Sequence, residues 1–216
     1  MSAIWKTYKT AAEWLEARTS YIGGSDAACI LGENPWKTNV QLWEEKIGRR
    51  KPDDLSDNPL VEYGKKAEEH LRNLFALDFP EYKIHYEPNN MLTNHRFPFA
   101  HASLDGCIED QSGRLGILEI KTATISGAAQ KAKWKDGIPQ NYYIQVLHYL
   151  MVTEFEFAIV KAQLKFEMPD GELFLHTRHY TIHRNEEEIA YLAEKEAEFA
   201  ACIETRTPPA LILPEI

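Results

Sequence analysis

The sequence is short of cysteine, of long apolar runs and of basic charge. Cys29, Cys107 and Cys202 are its only cysteines in 216 residues. Odd in number and far apart, they exclude a disulfide framework, a zinc site on paired cysteines and a four-cysteine cluster, and are expected to be idle or buried thiols. No stretch approaches the roughly 20 apolar residues of a membrane-spanning helix. The opening "MSAIWKTYKTAAEW" is polar and aromatic, unlike a charged head followed by an apolar leader. A cytoplasmic protein with no membrane partner is expected. Repeats and low-complexity tracts are also lacking. With 44% hydrophobic and 26% charged residues, the composition is that of one soluble domain over residues 1–216.

The shortage of basic charge bears on function. Lys and Arg number 24 against 33 Asp and Glu, a net charge of −9, which is awkward for a protein that must contact phosphates. Distribution resolves part of this. Residues 184–204, "RNEEEIAYLAEKEAEFAACIE", hold seven Glu against one Arg and one Lys, so the acid is concentrated in a C-terminal helix. A solvated helix face is the plain reading of that segment; repulsion of DNA from the outer surface or recruitment of a partner is the functional one. Short basic runs remain at "KIGRRK" (46–51) and "KAKWK" (131–135).

Local signals set the elements. Thr10 with Glu13, and Thr38 with Gln41, are capping boxes that open short helices, one ending near Arg18 and one at Gly48. Between them "YIGGSDAACILG" predicts a glycine turn, Ser25 as N-cap and a helix over 26–31. Asn58 and Pro59 start a longer helix whose apolar face is expected to carry Leu60, Leu71, Leu74 and Phe75. Extended segments are expected at 82–87, 90–93, 104–109 and 115–121. The apolar helix "PQNYYIQVLHYLMVT", strands near 155–166 and 173–182, and the acidic helix complete an α+β order.

The chemistry concentrates in "HASLDGCIEDQSGRLGILEIKTAT", residues 101–124. "EDQSGR" is rich in turn formers, and a hairpin centred on Ser112 sets Asp105 opposite Glu119. Alternation places Glu119 and Lys121 on one face and Leu118 and Ile120 on the other. Two facing carboxylates repel, and a divalent cation held by both would remove the repulsion; hard oxygen ligands suit Mg²⁺, with Mn²⁺ as substitute. Lys121 could then orient or deprotonate water, or stabilise charge on a phosphate. A solvated hairpin face with a surface Lys121 salt bridge fits the same pattern.

Five blocks, "RTSYIGGSDAACILGENPWKT", "EYGKKAEEHL", "HASLDG", "LEIKTAT" and "NYYIQVLHYLMVT", resemble in order and spacing the lambda-exonuclease family, especially its YqaJ-type viral recombinase branch. The resemblance runs from about Arg18 to Thr153. It implies a restriction-endonuclease-like core: a mixed, mostly antiparallel sheet flanked by helices over about 18–183. It also implies a Mg²⁺-dependent exonuclease that digests one strand of linear duplex DNA from its 5′ end, in a phage or prophage protein acting inside a bacterial host.

By the same resemblance Asp105 and Glu119 match the metal-binding carboxylates, Lys121 the catalytic lysine, and Ile120 a residue lending its carbonyl to the metal. Glu68 matches a helical glutamate completing the site and Gln145 a glutamine near the attacking water. Read from the residues alone, Glu68 is one more solvated charge, while Gln145 needs a hydrogen-bond partner if buried. His148, one turn on from Gln145, reaches the same cleft or is a structural histidine. Arg18, Ser25 and Ser103 match residues that grip the recessed 5′ phosphate; alone they read as a capped turn beside an exposed Arg. One departure stands out. The family's further basic residue after the catalytic lysine is missing from "TATISG", so either Lys131, Lys133 or Lys135 replaces it or the grip is weaker. A ring-shaped homo-trimer and a single-strand annealing protein are the partners implied. The rival functions are an endonuclease on the same core and a non-catalytic DNA-end adaptor.

Overall fold

The computed structural model describes residues 3–167 and 172–214. The elements run β1 (Ala3–Thr7), α1 (Ala11–Thr19), α2 (Gly24–Ile30), α3 (Asn39–Lys46), α4 (Pro59–Asp78), β2 (Lys83–His85), β3 (Asn90–Asn94), β4 (Phe97–Ala102), β5 (Gly106–Glu109), β6 (Leu115–Ile125), α5 (Ala128–Lys133), α6 (Gln140–Thr153), β7 (Phe157–Glu167), β8 (Leu173–His183) and α7 (Glu186–Glu204). Two sheets form, a small one in the order β1-β3-β4 and a larger one in the order β2-β5-β6-β7-β8. Pairing is antiparallel except between β6 and β7, which α5 and α6 join as a crossover. This is the mixed, mostly antiparallel sheet flanked by helices that the resemblance implies.

Both capping boxes form as expected: Thr10 accepts from the Glu13 N–H, and Thr38 from the Gln41 N–H. Asn58 caps α4 at the predicted proline. Three expectations need correction. Gly23, not Ser25, is the N-cap of α2, because the Asp26 carboxylate takes the Gly23 N–H at 3.0 Å. Ser25 lies exposed inside the first turn. Leu60 and Leu74 do not join the apolar face of α4, where Ala67, Leu71 and Phe75 are buried at a spacing of four residues; Leu74 falls about 100° away from Phe75 and stays exposed. The acidic α7 is not simply a solvated face, since Ile189, Leu192, Glu196 and Phe199 are buried beneath it.

The core is split by the large sheet. On one side α4 packs Ala67, Leu71 and Phe75 against Ile108, Leu118, Ile120, Phe157 and Ile159. On the other, α6 contributes Ile144, Leu147, Leu150 and Met151 to a cluster with Ala27, Ile117, Val160 and Leu192. The thiols behave as predicted: Cys29 and Cys107 are buried and free, with burial pushing them up to about 12 and about 11. Among the described residues no helix is long and apolar enough to cross a membrane.

Candidate active site

The hairpin has the predicted register. Gly106 pairs with Leu118 and Glu109 with Leu115, so the next position outward sets Asp105 against Glu119. Asp105 lies just before β5, and its Oδ2 accepts the Ile120 N–H at 2.8 Å. That bond ties the carboxylate to the strand bearing Glu119. Leu118 and Ile120 enter the core under α4, which turns Glu119 and Lys121 towards α6.

Glu119 is only 2% exposed, which overturns the solvated hairpin face. The ion pair itself exists but is enclosed. Lys121 Nζ lies 2.6 Å from Glu119 Oε1 and donates to Gln145 Oε1 at 3.0 Å, while Gln145 Nε2 donates to Glu119 Oε1 at 2.9 Å. The glutamine amide thereby closes a triangle and also meets the Tyr149 hydroxyl at 3.0 Å. Gly24 permits this arrangement: a side chain there would stand 2.5 Å from Tyr149 Cε1 and 2.9 Å from Gln145 Cγ, so α2 can approach α6 only without one.

Electrostatics separates the roles. Burial, then the charges of Glu119 and Glu68, raise the Asp105 carboxyl well above its ordinary range. Burial also raises Glu119, with Lys121 opposing. For Lys121, burial pulls downward but the two carboxylates outweigh it, so the ammonium is held above its ordinary value and stays protonated. Orientation and charge stabilisation therefore suit Lys121 better than deprotonation of water. Glu68 reaches this cluster through Arg72, whose Nη1 bonds Glu68 Oε1 at 3.1 Å and the Asp105 carbonyl at 2.6 Å. Arg72 also stacks on Tyr86, with Cζ 3.4 Å from the ring centroid. A cavity of about 760 Å³ opens beside Glu68, Arg72 and Tyr86.

The predicted residues divide into two groups. Asp105, Glu119, Ile120, Lys121, Gln145 and Glu68 come together. His148 does not join them: it is buried, with Nδ1 2.7 Å from Glu196 and Nε2 2.8 Å from the His101 carbonyl, so it is a structural histidine. Arg18 rests 4.3 Å from the Trp14 ring centroid, and Ser103 Oγ is buried without a partner. Lys131, Lys133 and Lys135 are exposed on and just after α5. Lys131 and Lys135 border a separate cavity with Trp134, Phe166 and Arg178, and no contact links the three lysines to Arg18 or Ser103 among the described residues. Arg72, Tyr149 and His101 were not singled out from sequence. For Arg72 the usable signal was its i,i+4 spacing from Glu68; Tyr149 bears the same relation to Gln145.

Among the described residues no group of three or more His, Cys, Asp or Glu is placed to hold a metal. The oxygen donors of Asp105 and Glu119 nevertheless fit a small divalent cation. Glu119 Oε2 is buried without a partner, and at both carboxylates burial outweighs the opposing Lys121 charge.

The YqaJ-like viral recombinase domain matches residues 13–156, two thirds of the sequence. The chain belongs to this family. It is 35% identical over 146 residues to an uncharacterized protein, YqaJ, of Bacillus subtilis (strain 168). That match takes in 67% of this chain but 43% of YqaJ, so the chain spans less than half the length of that relative. Among solved structures it shares the fold of the alkaline exonuclease LHK-Exo from Laribacter hongkongensis, with a TM-score of 0.68 and 19% identity over 91% of this chain and 94% of the other. LHK-Exo in complex with dAMP superposes with a TM-score of 0.70 at 20% identity, over 91% and 94% of the chains. A phage-related exonuclease from Haemophilus somnus gives 0.58 at 15% identity, covering 86% and 94%. The family inferred from five separated blocks is therefore the family found.

Proposed function

We propose that the protein is a divalent-metal-dependent exonuclease that degrades one strand of linear duplex DNA from the 5′ end. It releases mononucleotides and leaves a 3′ overhang for a single-strand annealing partner. The observation that carries the chemistry is the buried set of Asp105 and Glu119, locked to Lys121 and Gln145. Membership of a viral recombinase family and a fold shared with exonucleases, one of them bound to a mononucleotide, support the same reading. Asp105 and Glu119 would hold the cation, with the Ile120 carbonyl as a further oxygen, and Mg²⁺ or Mn²⁺ would supply Lewis-acid activation and charge neutralisation at the phosphate. The chain's own contribution is positional. Protonated Lys121 offers a donor to charge developing on phosphate, and Gln145 fixes its direction. Arg72 holds Glu68 and the Asp105 backbone in place, while Arg18, Ser25 and Ser103 form the end grip. A ring-shaped homo-trimer belongs to this proposal through family resemblance.

A duplex labelled at either end tests the reading. Linear DNA should lose its 5′-terminated strand in Mg²⁺ while covalently closed circles stay intact. Opening of circles would assign the same core to an endonuclease; binding without digestion would make it an adaptor.

A further inference from the structure

The end grip, as carried over from the family, lacks a residue. No basic side chain follows the catalytic lysine closely; Lys131 and Lys135 line another cavity, and Lys133 is exposed on α5. The structure offers a different completion. His101, on β4 two residues before Ser103, is 2% exposed, and its Nδ1 is buried with no hydrogen-bond partner. Ser103 Oγ shares that condition. Two buried polar atoms left unsatisfied within one three-residue stretch are costly unless something completes them. His101 is fixed against the start of α2: a side chain on Gly23 would stand 2.9 Å from its Nε2, and Tyr21 packs edge-on at 6.2 Å.

The charges around His101 favour an anion. Arg18 from α1, Lys46 from α3 and His148 from α6 act on it as cations and Asp26 from α2 as an acid; Lys46 is paired with Asp26 and His148 with Glu196, each at 2.7 Å, which leaves Arg18 as the uncompensated charge. Asp26 is already engaged, with Lys46 Nζ at 2.7 Å and the Gly23 N–H at 3.0 Å. Arg18 has no ion pair among the described residues. Burial and then Arg18 hold His101 down at about 3, so the ring is neutral at physiological pH and can carry its hydrogen on Nδ1.

We propose that His101 is an anion-binding residue of the DNA-end site, donating a hydrogen bond to the terminal 5′ phosphate alongside Arg18 and Ser103. This rests on the exonuclease reading and names the residue that takes the place of the missing base. The test compares binding of a duplex oligonucleotide carrying a 5′ phosphate with its 5′-hydroxyl twin, in Ca²⁺ to prevent digestion. His101→Phe, which keeps a ring but removes the donor, should cut the preference for the phosphorylated end about tenfold or more, as expected for loss of a hydrogen bond to a charged group. His101→Gln, which retains an amide donor, should keep most of it. A merely structural role would weaken both ends equally. A wild-type preference in His101→Phe overturns the inference. Should that variant fail to fold, NMR of the wild-type His101 ring decides: its signals should move on adding the phosphorylated duplex and not its twin, and an unmoved ring overturns the proposal. Wild-type protein that binds both ends equally overturns the anion site itself. Digestion of linear duplex, scored separately, shows whether the exonuclease reading falls with it.

Discussion

Residue by residue, the site is a problem in buried charge. Asp105 and Glu119 have carboxyls raised by burial, so the folded chain binds more protons than the unfolded chain above the ordinary values of 3.8 and 4.5. Stability then falls as pH climbs from those values through the raised ones. A cation bound by both carboxylates would reverse the loss. Thermal unfolding should show Mg²⁺ stabilising the wild type more at pH 8 than at pH 5. Asp105→Asn should be more stable than wild type without metal at pH 8 and should lose the Mg²⁺ response, because it removes one charge and keeps an acceptor for the Ile120 N–H. Arg72 acts one contact further out. Arg72→Ala frees Glu68 and strands the Asp105 carbonyl, and should lower the cleavage rate by about tenfold while costing about 1–3 kcal/mol, measured by single-turnover digestion and denaturant unfolding.

Elements decide how these residues meet. The β5–β6 hairpin was legible because its information is local: turn formers around Ser112 fix the centre, and alternation fixes the faces. The capping boxes of α1 and α3 were legible for the same reason. The start of α2 was not, because the choice between Gly23 and Ser25 turns on where the Asp26 carboxylate points. Strands β1 and β4 and helix α5 were not anticipated, since Pro98 interrupts the pattern of β4 and β1 owes its place to pairing with β3. His101 and Arg72 escaped notice because much of what surrounds them comes from other elements: the start of α2 for His101, and the Asp105 carbonyl and Tyr86 ring for Arg72. Gly24 permits the contact between α2 and α6, so Gly24→Ala should displace Tyr149 and Gln145. We expect it to cost about 1–3 kcal/mol by overpacking and to depress cleavage disproportionately, read from kcat alongside Tm.

For the whole molecule, the acidic C-terminal helix is a structural member as well as a charged surface. Both ring nitrogens of His148 contact oxygens, Glu196 Oε1 and the His101 carbonyl, a geometry that favours an imidazolium against a carboxylate, although burial also raises Glu196. Burial opposes that charge, but Glu196 outweighs it and raises His148 above 6.5. The pair's stabilisation is therefore present below pH 6.5 and lost as pH rises through the raised value. His148→Gln should flatten that decline and cost about 3 kcal/mol or more at pH 6, since it leaves Glu196 buried without a counter-charge. The net charge of −9 likewise makes sense only at this scale: seven of the 33 acidic residues sit on α7, while Arg18 lies against the Trp14 ring and forms no ion pair among the described residues.

The central claim is that Asp105 and Glu119 form a metal-dependent centre for phosphodiester cleavage. Its most direct test is Mg²⁺-dependent release of mononucleotides from a 5′-phosphorylated linear duplex by wild type and Asp105→Ala, with DNA binding followed in parallel. Wild type should digest only with the metal present, and Asp105→Ala should bind DNA but release nothing. Undiminished digestion by Asp105→Ala, or wild-type digestion in excess EDTA, would contradict the account.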